Sequence, residues 1–112
     1  MTKAMASCGD ACLECHAACR RTIKFCLRKS GRHSDARRLM RLTECAALCD
    51  ACAEFCVDDS PECVPVCDAT SKVCGDVARD LERFDEPEMR ACARACLDCA
   101  RACRGVVEQV PA

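Results

Sequence analysis

The 112-residue chain contains no tryptophan and no tyrosine, and its only aromatic residues are Phe25, Phe55 and Phe84. The bulky side chains from which a small domain ordinarily builds its core are therefore scarce. Histidine is confined to His16 and His33, and no His/Asp/Ser constellation suggests catalysis. No uninterrupted apolar run approaches the ~20 residues that a membrane span needs. The start, Met1-Thr-Lys-Ala-Met-Ala-Ser-Cys8, has no apolar segment of the signal-peptide kind, so a cytoplasmic protein with no membrane partner is expected.

What is abundant is cysteine. Sixteen residues, one in seven, are cysteine, far above the level that already signals a cysteine-built scaffold. Twelve of them fall in three blocks of identical spacing, C-x3-C-x2-C-x3-C: Cys8, Cys12, Cys15 and Cys19; Cys45, Cys49, Cys52 and Cys56; Cys92, Cys96, Cys99 and Cys103. At about 100° per residue, offsets of 0, 4, 7 and 11 place all four side chains of a block on one narrow helical stripe. Alanine and charge occupy the rest of the circumference, so each block predicts an amphipathic helix whose buried face is thiol.

Three breaks divide the chain. Ser30-Gly31-Arg32-His33-Ser34-Asp35 predicts a stop followed by an N-cap, Asp58-Asp59-Ser60-Pro61 a cap with proline at the first helical position, and Asp85-Glu86-Pro87 a third cap. Helices are expected over about 3–30, 35–58, 61–84 and 87–109. Short links make neighbours antiparallel, and four inward-facing stripes close most simply as an all-α, up-down four-helix bundle with a cysteine-lined core, a single domain over 1–112. Cys8 should then lie level with Cys56, Cys63 and Cys103, and Cys19 with Cys45, Cys74 and Cys92. The third helix is the weak copy, with Cys63, Cys67, Thr70 and Cys74 in the same rhythm. Pro65 removes a helical hydrogen bond there, so this helix should start late or kink. Val77, Leu81 and Phe84, with Ile23, Leu27, Leu39 and Leu42, should form an ordinary apolar plug at one end.

Isolated buried cysteines behave as small hydrophobes, but a seam of some fifteen demands another reason. Disulfides are disfavoured because cysteines four apart on a helix project side by side. Metal remains, and charge selects which. Sixteen thiolates arranged as zinc sites of four cysteines each would bury four dianions in a small bundle, whereas one Cu(I) per thiolate leaves the core neutral. The Cys-x-x-Cys pairs sit within helix, without the glycine and proline of cluster-wrapping loops, which disfavours iron–sulfur clusters; a thioredoxin-like role lacks its βαβ context.

The repeated C-x3-C-x2-C-x3-C blocks on an expected four-helix bundle resemble the cytosolic bacterial copper storage proteins, and the resemblance spans nearly the whole chain. It implies many Cu(I) ions, held mostly by the pairs Cys8/Cys12, Cys15/Cys19, Cys45/Cys49, Cys52/Cys56, Cys63/Cys67, Cys92/Cys96 and Cys99/Cys103, with Cys26 and Cys74 adding to the set. It also implies a homotetramer, with a copper chaperone or exporter as partner. Where many members carry His-x-His-Cys entering the fourth helix, this chain has Glu86-Pro87-Glu88-Met89, so Met89 stands in a thiol's place as a candidate entrance ligand. Val77, Leu81 and Leu39 likewise stand where richer members carry cysteine. Met5, at the opposite end, is the rival entrance ligand.

Of the remaining soft side chains, His16 is read as a surface residue, His33 as a loop or capping residue, and Met40 as surface or interface. The segment Arg20–Arg41 carries nine Lys or Arg against one acid, and Leu42–Ser71 carries acids only. That asymmetry reads as solvated helix faces, with a docking surface the sharper alternative. The competing functions are a thiol-rich detoxification or zinc-buffering protein and a copper-responsive DNA-binding bundle. A sensor needs few ligands, and nucleic acid is not expected as a partner.

Overall fold

The computed structural model describes residues 1–109; the last three residues of the expected domain lie outside the described residues. Four helices follow one another: α1 (Lys3–Lys29), α2 (Ala36–Val57), α3 (Cys63–Leu81) and α4 (Pro87–Glu108). A short 3-10 turn, Gly31–Ser34, joins the first two. Helix α1 packs on α2 and α4, and α3 on the same two, which gives an up-down bundle of 45 × 19 × 19 Å. No described helix is long and apolar enough to cross a membrane.

The helix ends have local causes. The Thr2 hydroxyl accepts the Met5 N–H, and the Asp35 carboxylate accepts the Arg37 N–H, so two N-termini are capped by side chains. Between α1 and α2, Ser30 and Gly31 take left-handed φ values of 57° and 60°, a reversal in which glycine carries no Cβ penalty. Pro87 opens α4 as expected.

Helix α3 departs from expectation at both ends. Pro61 does not open it: the Ser60 hydroxyl accepts the Glu62 N–H in a tight turn, and the helix begins at Cys63. Pro65 then falls in the first turn, where its missing N–H would have had no intrahelical partner, so the late start absorbs the proline. At the far end the helix stops at Leu81, yet Phe84 folds back and is buried.

The plug forms from Leu42, Val77, Leu81 and Phe84, with Ile23 and Leu39 packed beside it. Leu27 is not part of it: its side chain is 56 % exposed. It lies one position past Cys26, which takes the inward direction in that turn, so the helical phase turns Leu27 outward.

Candidate metal centre

All sixteen cysteines are buried as free thiols. Helical phase explains this: each block offers one stripe, and the four stripes meet because every helix buries only small side chains at these levels. Short side chains bring the helices close enough for sulfur to touch sulfur across the bundle. Along one edge Cys8 lies 3.5 Å from Cys103, Cys12 3.5 Å from Cys99, and Cys15 3.7 Å from Cys96. Along another, Cys45 meets Cys74 at 3.5 Å, Cys52 meets Cys67 at 3.5 Å, and Cys56 meets Cys63 at 3.2 Å. Diagonal contacts close the section: Cys8–Cys67 at 3.8 Å, Cys15–Cys74 at 4.0 Å and Cys49–Cys99 at 3.8 Å.

The register corrects one expectation. Cys8 meets Cys67 rather than Cys63, and Cys74 lies against Cys15 rather than Cys19. Helix α3 is displaced by one turn relative to α1, because the turn at Ser60–Glu62 sets Cys63 directly against Cys56 at the end of α2. All thiols except Cys26 and Cys92 are joined in one unbroken network of Sγ–Sγ contacts of 4.0 Å or less.

Four groups of thiols have all four sulfurs within 4.8 Å of one another. They are Cys8, Cys12, Cys52, Cys103; Cys8, Cys52, Cys56, Cys67; Cys15, Cys49, Cys74, Cys99; and Cys15, Cys19, Cys45, Cys96. The first two share Cys8 and Cys52, and the last two share Cys15. At most two could be filled independently by a tetrahedral ion.

Two threonines bound the thiol seam. Thr70 is fully buried where a thiol would complete the α3 stripe, and its hydroxyl donates to the Val66 carbonyl oxygen at 2.7 Å. Thr22, between Cys19 and Cys26, donates likewise to Ala18 at 2.8 Å. Both hydroxyls are satisfied within their own helices and bring no free ligand to the core.

Beyond Thr22, Cys26 points its Sγ at the Sδ of Met89, 3.8 Å away, and both side chains are fully buried. Burial pushes the Cys26 thiol up, with Arg38 opposing. Burial likewise raises Cys56 and Cys63 at the other end of the core. Within the network neighbouring thiols shift one another in opposite directions. Cys12 and Cys67 are held low by their sulfur neighbours, Cys103 foremost, and Cys15 by Cys19 foremost. Cys49 and Cys96 are pushed up, by their bonds to Cys12 and Cys15 respectively.

Neither histidine reaches the seam's sulfur network. His16 is half-buried rather than simply superficial: its Nδ1 lies 2.8 Å from the Ala46 carbonyl oxygen, tying α1 to α2. His33 bonds through Nε2 to the Glu86 carboxylate at 2.7 Å and packs against Phe84, ring centroids 4.6 Å apart. Sequence reading missed this clasp, although Glu86 beside Pro87 is a residue held by the chain reversal. Met40 is exposed, as expected, and Met5 lies buried at the opposite end beside Thr2, Pro61, Cys63 and Val106.

Two residues of the basic run are answered by carboxylates of α3. Arg38 grips Asp80 through two bonds of 2.7 and 3.0 Å, and Arg41 bonds Asp76 at 3.1 Å.

Over residues 1–108 the chain matches the family model of the copper storage proteins, Csp. It belongs to that family. YhjQ of Bacillus subtilis strain 168, described as an uncharacterized cysteine-rich protein, is 32 % identical over 102 residues, covering 89 % of this chain and 93 % of that one. Among solved structures, the Nmul_A1745 protein of Nitrosospira multiformis superposes with a TM-score of 0.91 at 28 % identity, covering 98 % of this chain and all of that one. The Cu(I)-bound copper storage protein BsCsp3 superposes with a TM-score of 0.87 at 28 % identity, over 94 % and 99 % of the two chains. The Csp bundle is thus reproduced from end to end, and the resemblance drawn from the cysteine rhythm is borne out.

Proposed function

We propose that this Csp-family chain is a non-enzymatic store of Cu(I) in the cytoplasm, a single domain whose core thiols are the ligands, chiefly as pairs four apart along each helix. The observation that carries this reading is the unbroken sulfur network. Cu(I) accepts two or three soft ligands, and one thiolate can bridge two coppers, so a continuous array of thiols is a continuous array of sites. Each Cu(I) that enters displaces about one thiol proton, and the loaded core stays close to neutral. Protonated thiols are nearly apolar, so the metal-free core is tolerable too.

Support for the competing zinc-buffering reading is limited by the overlap of the four-thiol groups, which leaves room for at most two independent tetrahedral ions. A DNA-binding role is weakened by the pairing of Arg38 and Arg41 with α3 carboxylates. The homotetramer and a chaperone or exporter partner belong to the same proposal, supported by family membership. So does copper passage at the Cys26–Met89 end, where a thioether can take Cu(I) without deprotonation. Phe84 and the His33–Glu86 clasp stand over that end, which makes passage slow rather than free.

The deciding experiment is anaerobic titration of the reduced protein with Cu(I) against a chromophoric chelator. On the order of 12–18 Cu(I) per chain are expected from the neutral-core argument. Saturation at four or fewer would sink the storage reading.

A further inference from the structure

The four-thiol groups are not equivalent. Three of them draw two ligands from one helix, whereas Cys15, Cys49, Cys74 and Cys99 come one from each helix. A tetrahedral ion with metal–sulfur bonds of about 2.3 Å places its sulfurs about 3.8 Å apart. In this cross-bundle set Cys49–Cys74 and Cys49–Cys99 are both 3.8 Å, and Cys15–Cys74 is 4.0 Å. The other groups contain tighter edges, such as Cys8–Cys103 and Cys52–Cys67 at 3.5 Å. All four sulfurs of the cross-bundle set are fully buried, and four different backbones hold them, so the spacing does not depend on one side chain's rotamer.

Charge then sets how many such ions the core accepts. A divalent ion on four thiolates is a buried dianion, costly unless neighbours donate to the sulfurs. Two thiols outside the set lie within S–H···S reach of its sulfurs: Cys45 Sγ is 3.5 Å from Cys74, and Cys12 Sγ is 3.5 Å from Cys99. Of the other groups, Cys15, Cys19, Cys45 and Cys96 shares a ligand with this one and cannot be filled beside it. The two groups built on Cys8 and Cys52 share none, but an ion in either would bury a second dianion in the same small core, against the repulsion of the first.

We infer that the copper-free protein holds one, and only one, thiophilic divalent cation, Zn(II) in physiological chemistry, in a tetrahedral site formed by Cys15, Cys49, Cys74 and Cys99. Binding releases the thiol protons of the four ligands. Cu(I), which neutralises the core ion by ion, displaces the divalent cation during loading.

The test is anaerobic titration of the reduced, copper-free protein with Co(II), whose tetrahedral thiolate complexes show thiolate-to-metal charge transfer and intense visible d–d bands. The expected result is saturation at one equivalent, with both bands abolished by one equivalent of Zn(II). Cys49→Ser and, separately, Cys99→Ser should weaken Co(II) binding by at least about a hundredfold, beyond the 10–100-fold cost of disturbing a ligand's neighbours. Cys63→Ser, outside all four groups, should leave it unchanged. Far-UV circular dichroism confirms that each variant remains helical, and the wild-type stoichiometry decides the matter should one of them unfold. Saturation at two or more equivalents, absence of the tetrahedral bands, or loss of binding in Cys8→Ser but not in Cys49→Ser would overturn the inference. Cu(I) capacity, measured on the same samples, is an independent readout: a low copper capacity with one Co(II) bound overturns the storage reading and leaves this site standing.

Discussion

At the level of Cys15, Cys49, Cys74 and Cys99 the four helices meet through sulfur alone, whereas toward the Gly31–Ser34 turn they meet through Leu42, Val77, Leu81 and Phe84. The two regions bury their residues equally well, but they change differently when metal arrives. A protonated thiol seam exchanges its protons for ions and becomes an ionic interior, while the plug is the same with or without them. Stability without metal must therefore be concentrated in the plug. On this division a bundle with so many core thiols is expected to fold without metal.

The comparison breaks first if the empty protein is not helical. The reduced apoprotein should give a full α-helical circular dichroism spectrum, unlike a zinc finger, and a random-coil spectrum would contradict the division of labour. Within the folded apoprotein, Leu42→Ala or Leu81→Ala should cost about 2–5 kcal/mol in urea denaturation, the range for deleting a fully buried leucine. Cys15→Ala, which removes one small buried group, should cost about 1 kcal/mol. Equal losses at the two places would erase the distinction.

The plug's rim sharpens the contrast at a smaller scale. Arg38 is 10 % exposed, is gripped by Asp80 through two bonds, and lies with its guanidinium carbon 4.7 Å from the Phe84 ring centroid. Asp80→Ala leaves that guanidinium buried without its partner and should cost about 2 kcal/mol in the same denaturation assay. Asp68→Ala, which breaks the exposed pairs with Lys72 and Arg104, should shift the same denaturation midpoint clearly less than Asp80→Ala does.

At the border between the regions, Met89→Leu keeps volume and apolarity while deleting the sulfur, so apo stability should change by less than about 1.5 kcal/mol. Stopped-flow Cu(I) loading should slow, with final stoichiometry within about one equivalent of the wild type. Unchanged rates in Met89→Leu with reduced rates in Met5→Leu would move the port to the other end.

The smallest effect is a pH dependence. Desolvation pushes the Glu86 carboxyl up, but its backbone hydrogen bond and His33 outweigh this and hold it below the usual range. A carboxylate depressed in the fold stabilises it above the unfolded value of about 4.3 and loses that contribution as pH falls through the lower folded value. Thermal melts of apoprotein should therefore show a slightly higher Tm for wild type than for Glu86→Gln at about pH 6. The gap should close below about pH 4.

The helical phase of the cysteines was legible because period alone decides which residues share a stripe. It placed every block in the core and identified Thr70 as the missing rung. It also put the plug in the right end, and Pro65 announced the late start of α3. What period cannot tell is how far one helix slides along another: that depends on the turn at Ser60–Glu62, and it moved α3 by one turn against α1. Nor does it resolve the flank of a stripe, so Leu27 was assigned inward when Cys26 already filled that direction. The His33–Glu86 clasp joins residues 53 apart through a chain reversal and leaves no periodic trace.

The sulfur network can also be considered as a set of connections. Cys8, Cys12, Cys99, Cys49 and Cys74 form its trunk, in contacts of 3.5 to 3.9 Å, and every other joined thiol hangs from that trunk as a branch. Removing a tip such as Cys103 or Cys19 trims the network by one vertex. Removing Cys49 cuts it in two, with Cys15, Cys19, Cys45, Cys74 and Cys96 on one side and the remainder on the other, and removing Cys99 makes the same cut with Cys49 added to the first side. Two variants that each lack a single thiol thus differ in kind: one loses a place, and the other separates two reservoirs that no longer exchange through sulfur contact.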